Sequence, residues 1–194
     1  MKKAFLLVVI LFVSVISTAC INNLAVQELN NKAKTYLDSG DYENAIGRLK
    51  SSIDLDSTMF ETHYNLGIAY TQAEKYPEAV ETFQNAIKLK PSFADTYYSM
   101  AVAQENYAQA IISGTLKTDD KDSEDKPKVD EDSAVEKTLT KEEKAQVAQL
   151  LNDSIASYGT YLEKGQDIND KQDVEQKIEY LKKQVLKYAP ATAE

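Results

Sequence analysis

The feature that most constrains the fold is an internal repeat of 34 residues in the first half of the chain. Ala33, Gly67 and Ala101 follow one another at this spacing, so a small residue recurs at each step. Larger residues recur in the same register: Tyr42 and Tyr76, Leu49 and Phe83, Ile53 and Ile87, Leu55 and Leu89. A period of this length is typical of stacked supersecondary units. We therefore expect similar units that bury their apolar faces against one another.

The second repeat, residues 60–93, shows the type of unit most clearly. Its small, aromatic and proline residues stand at regular spacings: Leu66, Gly67, Tyr70, Ala79, Phe83, Ala86 and Pro91. This pattern resembles the tetratricopeptide repeat, with His63 where that family usually has a bulkier residue. The resemblance implies an all-α solenoid of helical hairpins, in which Gly67 and Ala79 allow the two helix backbones to approach closely.

Local signals predict where the helices of these repeats begin. Thr58 with Glu61, and Ser92 with Asp95, have the spacing of a capping box at the start of a first helix. Pro77 is placed in the first turn of a second helix, where a missing N–H costs little. The repeats and the first helix of a third repeat are expected to occupy residues 26–113.

The third repeat is interrupted. Residues 114–139 are expected to form an acidic disordered loop, because residues 115–133 contain eight acidic side chains and almost no apolar ones. A helical pattern resumes with a capping box at Thr140 and Glu143. Residues 140–188 are then expected to supply the second helix of the third repeat and a C-terminal capping helix, followed by a tail at 189–194.

Two helices of this last part can be matched to the repeat pattern. Ser154 is the counterpart of Ala79, and a helix over residues 170–188 has the amphipathic pattern of a solenoid cap. The alternative is that residues 146–188 form a separate hairpin joined by a linker. We favour the split repeat, because an isolated hairpin would have too small a core.

The N-terminus has the layout of a secretory signal peptide over residues 1–19. Two lysines precede an apolar run that is too short to span a bilayer, and Cys20, the only cysteine, follows a stretch of small residues. This arrangement resembles the bacterial lipobox, although Ser17 stands where that motif usually has leucine. An ordinary cleaved signal peptide with a chance cysteine, or an uncleaved anchor, are the alternatives.

The lipobox resemblance implies cleavage before Cys20 and attachment of diacylglyceryl and palmitoyl lipid to its thiol, with no other cofactor. Residues 20–25 would form a short tether. The protein would be exported and lipid-anchored to a bacterial membrane. Ile21, where aspartate would retain an enterobacterial lipoprotein in the inner membrane, favours the outer membrane in a Gram-negative host, facing the periplasm or the surface.

Composition excludes several classes of function. A net charge of −9 argues against binding to nucleic acid phosphates. A single His and a single Cys leave too few groups for a nucleophilic or metal site, so no enzyme activity and no catalytic residue are predicted. Asp120, Asp122 and Glu131 are spaced like calcium ligands, but Asp125 replaces the required glycine and Pro127 intrudes, so no metal site is expected.

The resemblance implies that first helices line a concave groove that binds a protein or peptide segment. Inward-facing positions recur three before and one after each small packing residue, and one turn further on: Asn30, Lys34, Leu37, Tyr64, Ile68, Thr71, Tyr98, Val102 and Glu105. These residues predict an apolar or mixed ligand. A carboxylate clamp is not expected, since only Lys34 and Asn65 are similar to that subfamily.

Binding is thus the expected function. The favoured hypothesis is a membrane-anchored scaffold, an adaptor or assembly factor of the bacterial envelope. The alternative is a chaperone-like, substrate-holding subunit of an envelope enzyme or secretion system. The groove could instead be filled by the chain's own final helix or by its N-terminal tether.

Overall fold

The computed structural model describes residues 23–116, 139–166 and 168–189. These ranges contain seven α-helices and no strand: α1 at 23–38, α2 at Tyr42–Leu55, α3 at Phe60–Gln72, α4 at Tyr76–Leu89, α5 at Ala94–Ser113, α6 at Lys141–Lys164 and α7 at Lys171–Tyr188. The prediction of an all-α fold is confirmed. The signal peptide, Cys20, most of the acidic stretch and the end of the tail lie outside the described residues.

The helices are arranged as a row of hairpins. α1 and α2, α3 and α4, and α5 and α6 form three hairpins, and each packs against the next. Small residues occupy the contacts, since Ala33, Ala45, Ala79 and Ala101 have no exposed surface. The fold is therefore the predicted solenoid, and its core runs along the stack as connected clusters.

The third hairpin is formed although its two helices are far apart in sequence. The Ser154 hydroxyl donates to the carbonyl oxygen of Ala101 at 2.9 Å, and the Ser157 hydroxyl donates to Gln104 Oε1 at 2.9 Å. All four residues are buried. α5 and α6 pack extensively against each other, which favours the split repeat over the alternative of a separate hairpin.

α7 closes the stack. Val174 and Leu181 are buried against α6, while most other α7 side chains are exposed and polar or charged. α7 packs on α6 and has no backbone approach to α2, α3 or α4. It is the expected capping helix, and it does not lie across the first helices as the self-filled groove would require.

One predicted boundary is wrong. Residues 23–25, assigned to the tether, already belong to α1. The helix extends this far because Val26 is buried and because the Gln27 side chain donates to Asn23 Oδ1 at 2.9 Å, one helical turn away. Any tether is therefore shorter than predicted.

The helix starts follow the predicted capping rules in part. The capping box at Thr140 and Glu143 is confirmed, and so is the position of Pro77 in the first turn of α4. α3 and α5 begin without a side-chain cap. The prediction for Thr58 is wrong because its N–H and hydroxyl both donate to Asp56 Oδ1, at 2.8 and 2.7 Å.

Within the described part of the chain, no helix is both long enough and apolar enough to cross a membrane.

Candidate partner-binding face

The first helices of successive hairpins lie side by side with α7 at the end of the row. Three side-chain bridges join neighbours in this row: Asn30 with Thr62 (3.0 Å), Tyr64 with Ser99 (3.4 Å) and Lys177 with Glu105 (3.1 Å). We call the surface formed by α1, α3, α5 and α7 the first-helix face. It contains all nine residues predicted for the groove.

Asn30 has an internal role on this face. Its amide nitrogen lies 2.8 Å from Ser52 Oγ and 3.0 Å from Thr62 Oγ1, while Thr62 Oγ1 donates to Asn30 Oδ1 at 3.2 Å. Ser52 and Thr62 are fully buried. Because the amide satisfies these buried hydroxyls, Asn30 joins α1, α2 and α3 and has little capacity left for a partner.

Tyr64 is also largely engaged within the protein. Its ring stacks on Phe60 at a centroid distance of 5.9 Å and meets Phe93 edge-on at 5.6 Å. A further ring contact, at 6.1 Å, connects it to Phe83. This aromatic cluster fills the junction between the second and third hairpins, so Tyr64 contributes chiefly to packing.

Tyr98 is the most exposed aromatic residue of the predicted groove. It holds edge-on contacts with Tyr158 at 5.5 Å and Tyr161 at 5.1 Å, yet 36% of its surface remains exposed. Tyr98 and Tyr158 repeat the relation of Tyr64 and Phe83 one hairpin earlier. A phenol ring that is held in place by edge-on contacts with other rings and is still exposed is well suited to contact a partner.

The other predicted residues fall into two groups. Lys34 is exposed, whereas Leu37, Ile68 and Val102 are half-buried along the flank of the core. The Thr71 hydroxyl donates to its own helix at Gly67. Glu105 accepts from Lys177 at 3.1 Å and from the Tyr158 hydroxyl at 3.4 Å. Lys34 and Tyr98 are thus the exposed members of the predicted set, and Leu37, Ile68 and Val102 offer partial apolar surface beside them.

Two clefts lie beside first helices of the stack. A cleft of about 260 Å³ lies between α1 and α3 and is rich in amides, with Gln27, Asn31 and Asn65 in its walls. A larger one of about 660 Å³ is enclosed by residues 92–95 and by the end of α6 with its connection to α7. The 34-residue period does not predict the larger cleft, because one of its walls is the connection between α6 and α7, which lies beyond the recognisable repeats.

Two tyrosines of α6 stay protonated near this larger cleft. Burial, a hydrogen bond from the Tyr161 hydroxyl to Asp170 at 2.9 Å and the nearby Asp95 carboxylate raise the pKa of Tyr161 to about 12. Burial and the Glu105 carboxylate raise the pKa of Tyr158 still further. Both phenols are therefore neutral hydrogen-bond donors at physiological pH.

His63 belongs to the packing rather than to a reactive site. It is 8% exposed, and its Nε2 lies 2.9 Å from the carbonyl oxygen of Ser57. In the described ranges, no three His, Cys, Asp or Glu side chains are grouped so that they could hold a metal ion.

The architecture defines the class of protein: a helical-hairpin repeat array with a capped end and one continuous face of first helices. A family model described as "TPR repeat" matches residues 33–72 and 69–107. This part of the chain therefore consists of tetratricopeptide repeats, as the spacing of Ala33, Gly67 and Ala101 predicts.

Solved structures share the fold over most of the chain. The first TPR of Spaghetti (RPAP3) bound to HSP90 peptide SRMEEVD has a TM-score of 0.56 and 16% identity, covering 81% of this chain and 92% of that one. The second TPR domain of human RPAP3 in complex with HSP70 peptide SGPTIEEVD has a TM-score of 0.56 and 16% identity, covering 81% of this chain and 98% of that one. The Arabidopsis OM64 TPR domain has a TM-score of 0.57 and 10% identity, covering 82% of this chain and 98% of that one. Comparison with curated proteins yields no match.

Proposed function

We propose that this protein is a lipid-anchored scaffold of the bacterial cell envelope that holds a segment of another protein on its first-helix face. The observation that carries the proposal is the continuous row of first helices α1, α3 and α5, which α7 extends by packing on α6 and not on α3. Such a row presents side chains at i and i+4 along each helix, so an elongated segment can contact several repeats at once.

The structural comparisons support peptide binding as the general activity. The similar domains from Spaghetti (RPAP3) and human RPAP3 are complexes with HSP90 and HSP70 peptides. Those peptides end in EEVD, with acidic groups. In this protein the Asn30 amide is engaged internally and Lys34 is the exposed cation among the nine predicted residues. A segment of mixed apolar and polar character therefore fits this face better than an acidic terminus.

The anchor is proposed from the sequence. The apolar run of residues 4–16 followed by small residues and Cys20 resembles a lipoprotein signal, and lipid on Cys20 would keep the scaffold at the membrane after residues 1–19 are removed. The lipid would supply location, and the repeats would supply the contact with the partner.

A photo-crosslinking pair tests the binding face. A photoreactive phenylalanine at position 98 should capture a partner segment in intact cells, because Tyr98 is exposed beside the row of first helices. The same group at position 84 is the matched control, since Gln84 is exposed on the second helix α4, which is not part of the first-helix face. Equal capture at both positions, or capture only at position 84, would contradict the proposal.

Charge reversal gives a second, independent test. Lys34→Glu should weaken the captured complex, whereas Lys88→Glu, at an exposed site on the second helix α4, should leave it intact.

A stable stoichiometric complex recovered from native membranes supports an adaptor. Many weakly held clients would instead identify a chaperone-like holder.

Anchoring and binding are separable. Cys20→Ala should release the protein from the membrane fraction while the purified protein still binds the segment identified by crosslinking. Retention of the variant in membranes would show that the cysteine is not the anchor.

A further inference from the structure

All N-terminal ends of first helices lie at one edge of the stack. Each first helix starts where the preceding second helix ends, so the connections at residues 56–59, 90–93 and 165–170 fall on the same side as the start of α1. We call this side the N-terminal edge. The opposite edge contains the turns within hairpins, at residues 39–41 and 73–75, and the C-terminal end of α5 at Gly114.

The distance between Cys20 and this edge is short. α1 is already helical at Asn23, so at most Ile21 and Asn22 separate it from Cys20. Three fully extended residues span about 11 Å. A lipid on Cys20 would therefore hold the start of α1 within about 11 Å of the attachment point, and the stack could not stand away from the bilayer.

Two orientations satisfy this short link. The stack can stand on its N-terminal edge, or it can lie on the outward side of α1. The outward side of α1 is polar, with Thr35 exposed and an ion pair between Lys32 and Glu28 at 2.7 Å. Contact with lipid there would bury polar groups without apolar gain.

The N-terminal edge has the apolar groups that the outward side of α1 lacks. Leu24, Leu55 and Leu89 are 68%, 43% and 40% exposed, and they stand at the start of α1 and the ends of α2 and α4. These are three of the six large hydrophobic side chains that are exposed in the described part of the chain. Exposed leucines along the same edge as the proposed lipid attachment point favour contact with the bilayer interface.

The charges of this edge limit the kind of lipid contact. Lys88, Lys90 and Lys164 are exposed there, but Asp56, Glu61, Asp95 and Asp170 lie at the same ends of the helices. The mixture offers no excess of positive charge for anionic headgroups. Contact would depend on the tether and the leucines, so a neutral lipid surface is sufficient.

We infer that the protein stands on its bilayer with the N-terminal edge against a neutral lipid surface, its first helices upright and its first-helix face open along the membrane plane. This inference rests on the proposed anchoring at Cys20. α2 has 14 residues, which places the opposite edge about 21 Å higher. A partner would then approach from the side, within the layer next to the membrane.

Site-specific labelling tests this orientation. The full chain is produced in bacteria, and mass spectrometry determines whether Cys20 bears lipid. Single added cysteines at Ser57 and Ser92 label the N-terminal edge, at Ser39 and Ser113 the opposite edge, and at Thr35 the outward side of α1. An environment-sensitive fluorophore is attached, and the protein is reconstituted in phosphatidylcholine vesicles that contain a headgroup-region spin-label quencher.

The expected result is severalfold stronger quenching at Ser57 and Ser92 than at Ser39, Ser113 or Thr35. Replacing Leu55 and Leu89 together by serine should reduce the quenching at Ser57 without unfolding, since both side chains are exposed. Insertion of about ten Gly and Ser residues before Asn23 lengthens the tether by an average of about 17 Å and should abolish the difference between edges.

Two results would overturn the inference, and they differ in meaning. Strongest quenching at Thr35, or equal quenching at all positions with lipid present on Cys20, refutes the orientation and leaves the anchor intact. An unmodified Cys20 in the mature protein refutes the anchor, and the orientation with it.

Discussion

Gly67 shows how closely α3 and α4 pack. A Cβ atom built on Gly67 would lie 2.6 Å from Cε1 of Phe83, which is fully buried and has no space to withdraw. Gly47, also within a helix, has no atom within 4 Å of such a Cβ. The two glycines have the same helical backbone and opposite surroundings.

Gly67→Ala should therefore lower the free energy of unfolding by about 1–3 kcal/mol, because the methyl group overpacks the contact with Phe83. Gly47→Ala should raise it by about 0.5–1 kcal/mol, since alanine has the higher helix propensity. Urea denaturation monitored by circular dichroism measures both. A neutral Gly67→Ala variant would show that α3 and α4 can separate without cost.

Thr62 and Thr96 form a second matched pair, one repeat apart. Thr62 is satisfied by Asn30, whereas the hydroxyl of Thr96 is buried without a hydrogen-bond partner in the structure. The repeat places Tyr64 and Ala86 where the network around Thr62 has Asn30 and Ser52. The buried threonine thus has polar neighbours between the first and second hairpins and apolar neighbours between the second and third.

Thr62→Val should destabilise the fold by about 1–2 kcal/mol, because the Asn30 amide loses a partner. Thr96→Val should be neutral or stabilise it by up to about 1 kcal/mol, because it removes an unpaired buried hydroxyl. Thermal unfolding of the two variants under one buffer condition compares them. Equal losses would mean that Thr96 has a partner in solution.

The helices themselves could be predicted from the spacing of a few residues. Ala33, Gly67 and Ala101 define the repeat, and the capping box at Thr140 marks the start of α6. The caps of α3 and α5 could not be predicted, because Thr58 can bond to Asp56 as readily as it can cap a helix. Capping-box spacing alone does not decide between these local hydrogen bonds.

The sequence could predict which surface forms the candidate site, but not which residues of that surface are engaged by other helices. The repeat places Lys34, Ile68 and Tyr98 on the first-helix face, and the structure has them there. The internal partners of Asn30 and Glu105 were not predictable, because they come from other helices: Ser52 on α2 and Lys177 on α7. A pattern within one helix contains no information on such cross-helix contacts.

The observed cap at α6 leads to a direct test. Thr140→Ala should cost about 1 kcal/mol, because the Glu143 N–H loses its acceptor at 3.1 Å and the box is broken. Thr58→Ala, at the position where sequence spacing predicts a cap, should have a smaller effect. Hydrogen exchange at the first turns of α6 and α3 measures both. A larger effect at Thr58 would contradict the observed hydrogen bonds.

At the scale of the whole molecule, we expect the acidic stretch within the third repeat to be dispensable for stability. Leu116 and Leu139 pack against the core around α5 and α6 and bracket this stretch. The described contacts of the third hairpin come from these two leucines and from the helices.

Replacement of residues 118–137 by a shorter Gly/Ser linker should keep the fold and raise the free energy of unfolding by about 0.6 kcal/mol for each halving of the loop. Leu139→Ser in the full chain is the control and should cost about 1–2 kcal/mol, since Leu139 is only 9% exposed. Calorimetry compares the two proteins. Unfolding of the shortened chain would show that the acidic stretch supports the stack.

The long separation of Ala101 and Ser154 also sets an order of assembly. These contacting residues are 53 positions apart, whereas Gly67 and Ala79 of the second hairpin are twelve apart. Closing the longer segment costs about 1.3 kcal/mol more chain entropy, which slows its folding. During synthesis the first two hairpins can fold while α6 is still being made. The third hairpin and the capping helix α7 then pack onto the stack last. Folding intermediates should therefore expose the apolar side of α5, where a chaperone or a second unfinished chain could attach.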